Sequence, residues 1–434
     1  MSEIYNVYDA AMKRAEFIFN EFENVLIAFS GGKDSGIILN LFYSYAKKHG
    51  LLHKLAVYHE DYEGGYPQTF EFIERIYDAM SEIRRYWLCL PIKAACSASM
   101  HQTSWIPWDA DKKDIWIRKM PDKDYVINEG NVWFPFEKGT SGFQTRILFS
   151  KAFAKRYGKT AVIVGLRMDE SLSRRAIITS KRRTSQYKNK MYSKILDSNT
   201  VNFYPIIDWL TDDVWIANTR FNWDYNRLYD LYYMAGLNFK DMRTASPFHA
   251  AGQKHLSLYK VICPNTWAAM VSRVNGVNFT GIYGGTTAMG WRSITKPKHF
   301  TWKQYADFLI KTLPEKTRSR LMYQLERLNQ SWAEEGYGRN PNVIAQMEKE
   351  GIVLERTGED DPRCVKPGFY EIIKIRSGFP DETLVEDFRH CPNWKDVCIA
   401  VMKNDFTFQT LGLGRTKEDL QRRKKIMDKY KNIL

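Results

Sequence analysis

The period of apolar and polar positions changes repeatedly through the first half of the chain. Residues 8 to 23 follow helical spacing, "VLIAF" at 25–29 is a continuous apolar run, and 36–48 returns to helical spacing. The alternation continues through "KLAVYH" at 54–59, a helix over 67–84, "YWLCL" at 86–90, a helix over 144–157 and "TAVIVGL" at 160–166. Short apolar runs separated by helices of this length predict an α/β fold, a parallel sheet with helices on both faces. Ligands of such sheets sit beyond the carboxyl ends of the strands.

Between 91 and 142 the alternation lapses into a stretch rich in Trp, Pro and Asp, "SWIPWDADKKDIWIRKMPDKDYVINEGNVWFPFEKGT". This insertion is too irregular for sheet or helix, and reads equally as a substrate-facing lid or a surface elaboration. From about 236 onward the strand-helix alternation stops, and 301–313 and 318–335 have helical spacing. The expected organisation is a nucleotide-binding domain over 1–235 and a mainly helical domain over 236–434. The tail "RTKEDLQRRKKIMDKYKNIL" reads as a basic helix with a solvated face.

Composition narrows this little. With 434 residues, 44% hydrophobic and 26% charged, the chain is an ordinary globular one, without an 18-residue apolar run or a signal-peptide start, and is expected to be cytoplasmic with no membrane contact. A formal charge of +14 implies an anionic partner: nucleotide, nucleic acid or acidic protein. The six cysteines form no C-x-x-C pair. His390, Cys391 and Cys398 lie close in sequence, but lack a fourth ligand and the usual metal spacing.

The chemistry is concentrated in Ser30-Gly31-Gly32-Lys33-Asp34-Ser35, after one strand and before one helix. Two glycines let the backbone turn sharply and approach a ligand, and the helix start beyond them offers unpaired N–H groups and a positive dipole end. Lys33 adds a charge for phosphate oxygens, the serines add hydroxyls, and Asp34 serves either to hold Mg²⁺ or to cap the helix. The stretch matches neither G-x-x-x-x-G-K-[ST] nor G-x-G-x-x-G. Arg146, on the 144–157 helix, is a further candidate for planar, bidentate phosphate binding.

A strand, S-G-G-K-D-S and a helix in that order resemble the PP-loop, or N-type, ATP pyrophosphatases, within them the PAPS reductase-like branch. The resemblance implies a Rossmann-like adenine-nucleotide α-hydrolase fold that binds ATP with Mg²⁺, the loop Ser30 to Ser35 taking phosphates. Three further segments are similar to that family. "YHEDYEGGYPQT", 58–69, places Asp61 as a nucleotide or metal contact, so that Asp34 and Asp61 become the implied Mg²⁺ ligands. "VGLRMDESLSRR", 164–175, implies that Gly165 gives close backbone approach, that Arg167 and Arg174 face phosphates, and that Glu170 orients an arginine or the metal. "YPIIDWLTDDVW", 204–215, implies a place beside the nucleotide for Asp208. The second half, with "GGTTAMGWRS" and "CPNWKDVCIAVMKNDF", is similar to IbrA-type proteins of enterobacteria and their phages, which implies a ParB-like (IbrB-type) partner.

The reductases of this family use a cysteine in a C-terminal E-C-G-[IL]-H motif, and this chain ends "KIMDKYKNIL". Neither sulfonucleotide reduction nor an iron-sulfur cluster is therefore expected. What remains is attack on the α-phosphate of ATP with release of pyrophosphate, by an ATP pyrophosphatase or adenylyl transferase in which Lys33, Asp34, Arg167 and Arg174 carry the catalysis. The alternatives are a DNA-associated regulator that senses nucleotide without turnover, and a sulfur-transfer enzyme related to DNA phosphorothioation. The segment 173–194, with eight basic residues and no acid, is the candidate contact for nucleic acid, a polyphosphate tail or an acidic partner.

Overall fold

The apolar runs assemble into one seven-stranded sheet in a computed structural model, which describes residues 6–170, 186–239, 242–253, 255–283, 294–361, 370–385, 391–406 and 408. Its first elements are α1 (Val7–Glu21), β1 (Asn24–Ala28), α2 (Lys33–Lys48), β2 (Leu55–Glu60), α3 (Pro67–Ala79), β3 (Arg84–Leu88) and, after the insertion, α4 (Gly142–Tyr157). Across the sheet the order is Val126–Ile127, β3, β2, β1, Thr160–Val164, Thr200–Phe203 and Ser193–Ile195. All neighbours are parallel except the last pair, and Ile27 sits opposite Val57 on one side and Ile163 on the other. Val25, Leu26 and Ile27 are fully buried, as a strand covered on both faces requires.

Helix ends shift from the sequence reading for local reasons. α1 buries Ala11, Ala15, Ile18 and Phe19, one helical stripe, and Asn6 caps it by accepting the Asp9 N–H. α2 starts at Lys33, earlier than apolar spacing alone suggests, because Gly32 is its N-cap and the polar residues of the loop form its first turn. α3 ends at Ala79, since Arg84 and Arg85 already pair in β3. α4 begins with a capping box between Ser141 and Gln144.

The insertion is more than a surface elaboration. Cys96, Ala98, Trp105 and Trp108 are buried, and Trp105 packs in one apolar cluster with Tyr66, Tyr229, Met242, Phe248, Tyr259 and Met270. A division of the chain at 235–236 therefore runs through a single hydrophobic cluster. The backbone of 97–100 is also a docking edge for later residues. Ser97 N–H donates to Phe248 O (2.7 Å), and Ser97 O accepts from Gln253 Nε2 (2.5 Å) and Asn404 Nδ2 (3.1 Å). Thr280 Oγ1 donates to Ala98 O (2.9 Å) and Thr317 Oγ1 to Met100 O (2.8 Å).

The described residues between 302 and 408 hold a separate cluster that includes Leu321, Leu325, Trp332, Ile344 and Val397. The region is mainly helical, as the spacing predicts, and adds a small antiparallel sheet in the order Tyr337–Arg339, Glu371–Lys374, Glu355–Asp360. The basic tail helix expected over 415–434 and His390 lie outside the described residues. Among the described residues no helix is long and apolar enough to cross a membrane.

Candidate functional site

From β1 the chain proceeds outward through β2 and β3 on one side and later through Thr160–Val164 on the other, so the sheet reverses its winding between β1 and Thr160–Val164. The Ser30–Ser35 loop leaves β1 at this switch point, where open α/β sheets form their ligand crevice. Its glycines are dictated by their neighbours. Gly31 has φ +73°, and a Cβ there would stand 2.8 Å from Thr69 Cγ2; one on Gly32 would stand 2.5 Å from Thr244 Oγ1. The serine hydroxyls brace the turn: Ser35 Oγ accepts the Ser30 N–H (3.1 Å), donates to Gly32 O (3.0 Å) and lies 3.0 Å from Ser30 Oγ.

Asn226, Tyr229, Met242 and Thr244 close over this loop, a relation with no local signal in the sequence. Asn226 Nδ2 donates to Gly31 O and to Thr69 Oγ1, both at 2.9 Å. Lys33 N–H donates to Tyr229 Oη (2.9 Å), and Lys33 Nζ donates to Met242 O (3.2 Å) while standing 3.6 Å from Asp34 Oδ2. Burial pushes the Lys33 ammonium below the usual lysine range, against the pull of Asp34.

Arg167, which the resemblance turns toward phosphate, is engaged within the protein. It is buried, donates from Nε to Asp34 Oδ1 (2.7 Å), and reaches Trp209 O (3.3 Å) and Thr211 Oγ1 (3.4 Å). Gly165 allows this crossing, since a Cβ there would meet the Asp34 carbonyl carbon and Ser35 N at 3.1 Å. Arg167 thus anchors the first turn of α2 from beneath through Asp34. The side chain of Glu170 and all of Arg174 lie outside the described residues, as does 173–185 of the basic segment.

Asp61 and Asp208 are likewise engaged within the protein. Asp61 is buried and accepts from Trp87 Nε1 (2.6 Å), the Glu63 N–H (2.8 Å) and the Arg118 guanidinium. Asp208 forms a bidentate pair with Arg14 of α1, both bonds 2.7 Å. Sequence order places both acids near strand ends, but these cations arrive from distant segments. Asp34 and Asp61 share no partner and each is neutralised by an arginine, so this pair does not fit an Mg²⁺ site. Among the described residues no group of three or more His, Cys, Asp or Glu side chains converges to hold a metal.

Beside the loop opens a cavity of about 670 Å³, lined by Ser30, His59, Glu60, Arg146, Ser246 and Arg320 among others. Arg146 Nη1 donates to Glu60 Oε2 (2.5 Å), which also accepts from Tyr62 Oη (2.9 Å). Glu60 Oε1, His59 Nε2 and Ser246 Oγ are buried without a hydrogen-bond partner. Burial raises the Glu60 carboxyl above the usual range and lowers the His59 imidazole. Arg146 is thus placed in the cavity wall with Glu60, which sequence reasoning missed although it directly precedes Asp61 at the end of β2, the position to which the crevice rule points.

Four of the cysteines are held unreactive by burial. Cys96 is pushed up to about 11 and Cys391 and Cys398 to about 12 by burial, which also raises Cys89, and all four are buried free thiols.

Residues 24–235 match the phosphoadenosine phosphosulfate reductase domain, and residues 236–422 match a domain of unknown function, DUF3440. The chain is similar to an uncharacterized protein, YbdN, of Escherichia coli strain K12, 28% identical over 417 residues that cover 95% of this chain and 91% of that one. Among solved structures it is similar to a phosphoadenylyl-sulfate reductase of Candida auris in a phosphate complex, with 14% identity, 51% of this chain and 84% of that one covered, and TM-score 0.28. It is also similar to an FMN adenylyltransferase of Candida glabrata, with 13% identity and TM-score 0.29; the match covers 53% of this chain and 62% of that one. The loop at the switch point and the sheet order accord with this match of residues 24–235 to the phosphoadenosine phosphosulfate reductase domain.

Proposed function

We propose that the chain binds ATP with its phosphates at the Ser30–Ser35 loop and its remainder in the adjoining cavity, and splits it between the α and β phosphates. The observation that carries this reading is the loop's place at the switch point of the sheet, with a helix start, Lys33 and a cavity of about 670 Å³ beside it. An acceptor attacks the α-phosphorus, the bond to the bridging oxygen breaks, and pyrophosphate departs. Such a transfer needs positioning and charge rather than a protein nucleophile, in keeping with the buried thiols. Lys33 and Arg174 take the phosphate-facing roles in this proposal, while Arg167 and Asp34 hold the loop.

ATP labelled at the α-phosphate, given to the chain alone and with the ParB-like protein that the resemblance implies, should yield an adenylate or AMP together with pyrophosphate. Identical product profiles from wild type and Lys33→Ala would end the catalytic reading. A second reading, nucleotide sensing without turnover, draws on Lys33, whose N–H and Nζ are already bonded to Tyr229 and Met242. Nucleotide binding without product, accompanied by salt-dependent DNA affinity, would select it.

A further inference from the structure

The cavity beside the loop has two walls from different parts of the chain. Ser30, Glu60 and Arg146 come from the reductase-type domain, whereas Ser246 and Arg320 come from the region matching DUF3440. Arg320 lies on the helix Glu315–Gln330, which is pinned to the insertion at successive turns: Thr317 Oγ1 donates to Met100 O (2.8 Å), and Arg320 Nη1 donates to Thr103 Oγ1 (2.9 Å). A guanidinium is thus carried to the cavity on a rigid element and fixed by a neutral hydroxyl.

Charge compensation separates the two arginines of the cavity. Arg146 is paired with Glu60 at 2.5 Å, whereas no carboxylate among the described residues lies within ion-pair distance of Arg320. A half-buried guanidinium with donors to spare calls for an anion, bound best by a planar two-oxygen group. Independently, Glu60 Oε1 has no partner on a side chain only 6% exposed, and His59 Nε2 and Ser246 Oγ are likewise unpartnered. Buried polar atoms of this kind are satisfied when a ligand is present. The ligand then donates a hydrogen bond, through an amine or hydroxyl, to the β2 end, and offers an anionic group to Arg320.

We infer that Arg320 is a specificity residue supplied by the DUF3440 region, binding a phosphate, sulfate or carboxylate group of the cavity's ligand away from the phosphates held at the Ser30–Ser35 loop. This rests on the proposal that the cavity receives an adenine nucleotide. Its anion has two possible carriers: a second phosphate on the nucleotide's ribose, or a separate acceptor bound beside the nucleotide.

Isothermal titration of the full chain with AMP, adenosine 3′,5′-bisphosphate, and inorganic sulfate added to AMP-saturated protein distinguishes them. If the nucleotide carries the anion, wild type binds the bisphosphate about tenfold more tightly than AMP, and Arg320→Met removes that excess while leaving AMP affinity unchanged. If an acceptor carries it, the bisphosphate shows no excess, and Arg320→Met abolishes sulfate binding. Arg320→Lys, which keeps the charge, and Thr103→Val, which keeps the guanidinium but not its anchor, should each show a partial loss; they supply the comparison if Arg320→Met fails to fold. Equal behaviour of wild type and the Arg320 variants toward every probe overturns the inference. Wild type that ignores AMP but binds sulfate through Arg320 would instead sink the nucleotide reading and leave this one standing.

Discussion

The backbone N–H of Lys33 donates to the phenol of Tyr229, 196 residues further along the chain, at 2.9 Å. A helix-start N–H that a phosphate would use is therefore already engaged, and nucleotide entry has to displace that hydroxyl. Tyr229→Phe removes the competitor. One neutral hydrogen bond is worth about 1 kcal/mol, so nucleotide affinity should rise about fivefold, at the expense of stability without ligand. Titration with ATP beside urea unfolding checks both; unchanged affinity in a folded variant would refute the competition.

Arg167, buried, pairs with the partly buried Asp34 in the first turn of α2. Removing one partner strands the other charge, and Arg167→Met should lower unfolding free energy by about 3–5 kcal/mol. Asp34→Asn in the same background should restore part of it, and urea unfolding of the four-member cycle measures the coupling. Additive losses would show that the pair does not anchor the loop.

Asp61 is engaged by Arg118, Trp87 and the Glu63 backbone. Asp61→Asn should destabilise the fold by about 2–3 kcal/mol while leaving the Mg²⁺ dependence of ATP binding unchanged. Altered Mg²⁺ dependence at unaltered stability would return Asp61 to the metal.

The Lys33 ammonium is depressed chiefly by burial. Because its folded value lies below the unfolded one, the folded chain binds fewer protons than the unfolded chain between the two, and this group's contribution to stability rises with pH across that window. Nucleotide binding runs in the opposite direction, since only the charged amine attracts phosphate: affinity should fall as pH climbs through the lowered value. ATP titrations from neutral to alkaline pH should show this decline in wild type and a flat profile in Lys33→Met; a flat wild-type profile would remove Lys33 from the phosphates.

Burial raises Cys89, Cys96, Cys391 and Cys398, whereas Cys263 is half-exposed. Iodoacetamide on the native chain, followed by peptide mass mapping, should label Cys263 well ahead of those four. Rapid labelling of any of the four would contradict their burial.

The sequence by itself determined what depends on neighbours along the chain. Apolar runs such as Val25–Ile27 can only be strands covered on both faces, Gly31 and Gly32 fit a tight turn into a helix, and the alternation on either side placed that turn beyond a parallel sheet. Only the tertiary structure decided which charges meet. Arg167 reaches Asp34, Arg118 reaches Asp61 and Arg14 reaches Asp208 across separations no local period encodes, so four residues assigned to the nucleotide or its metal, Arg167, Asp34, Asp61 and Asp208, are paired within the protein. The same holds for the insertion, whose irregular sequence hid a backbone edge that binds later helices through single hydrogen bonds, and for Tyr229 and Arg320, two residues at the loop and its cavity that carry no motif. Periodicity reports which face of an element is buried; the partner buried against it is set by how the whole chain packs.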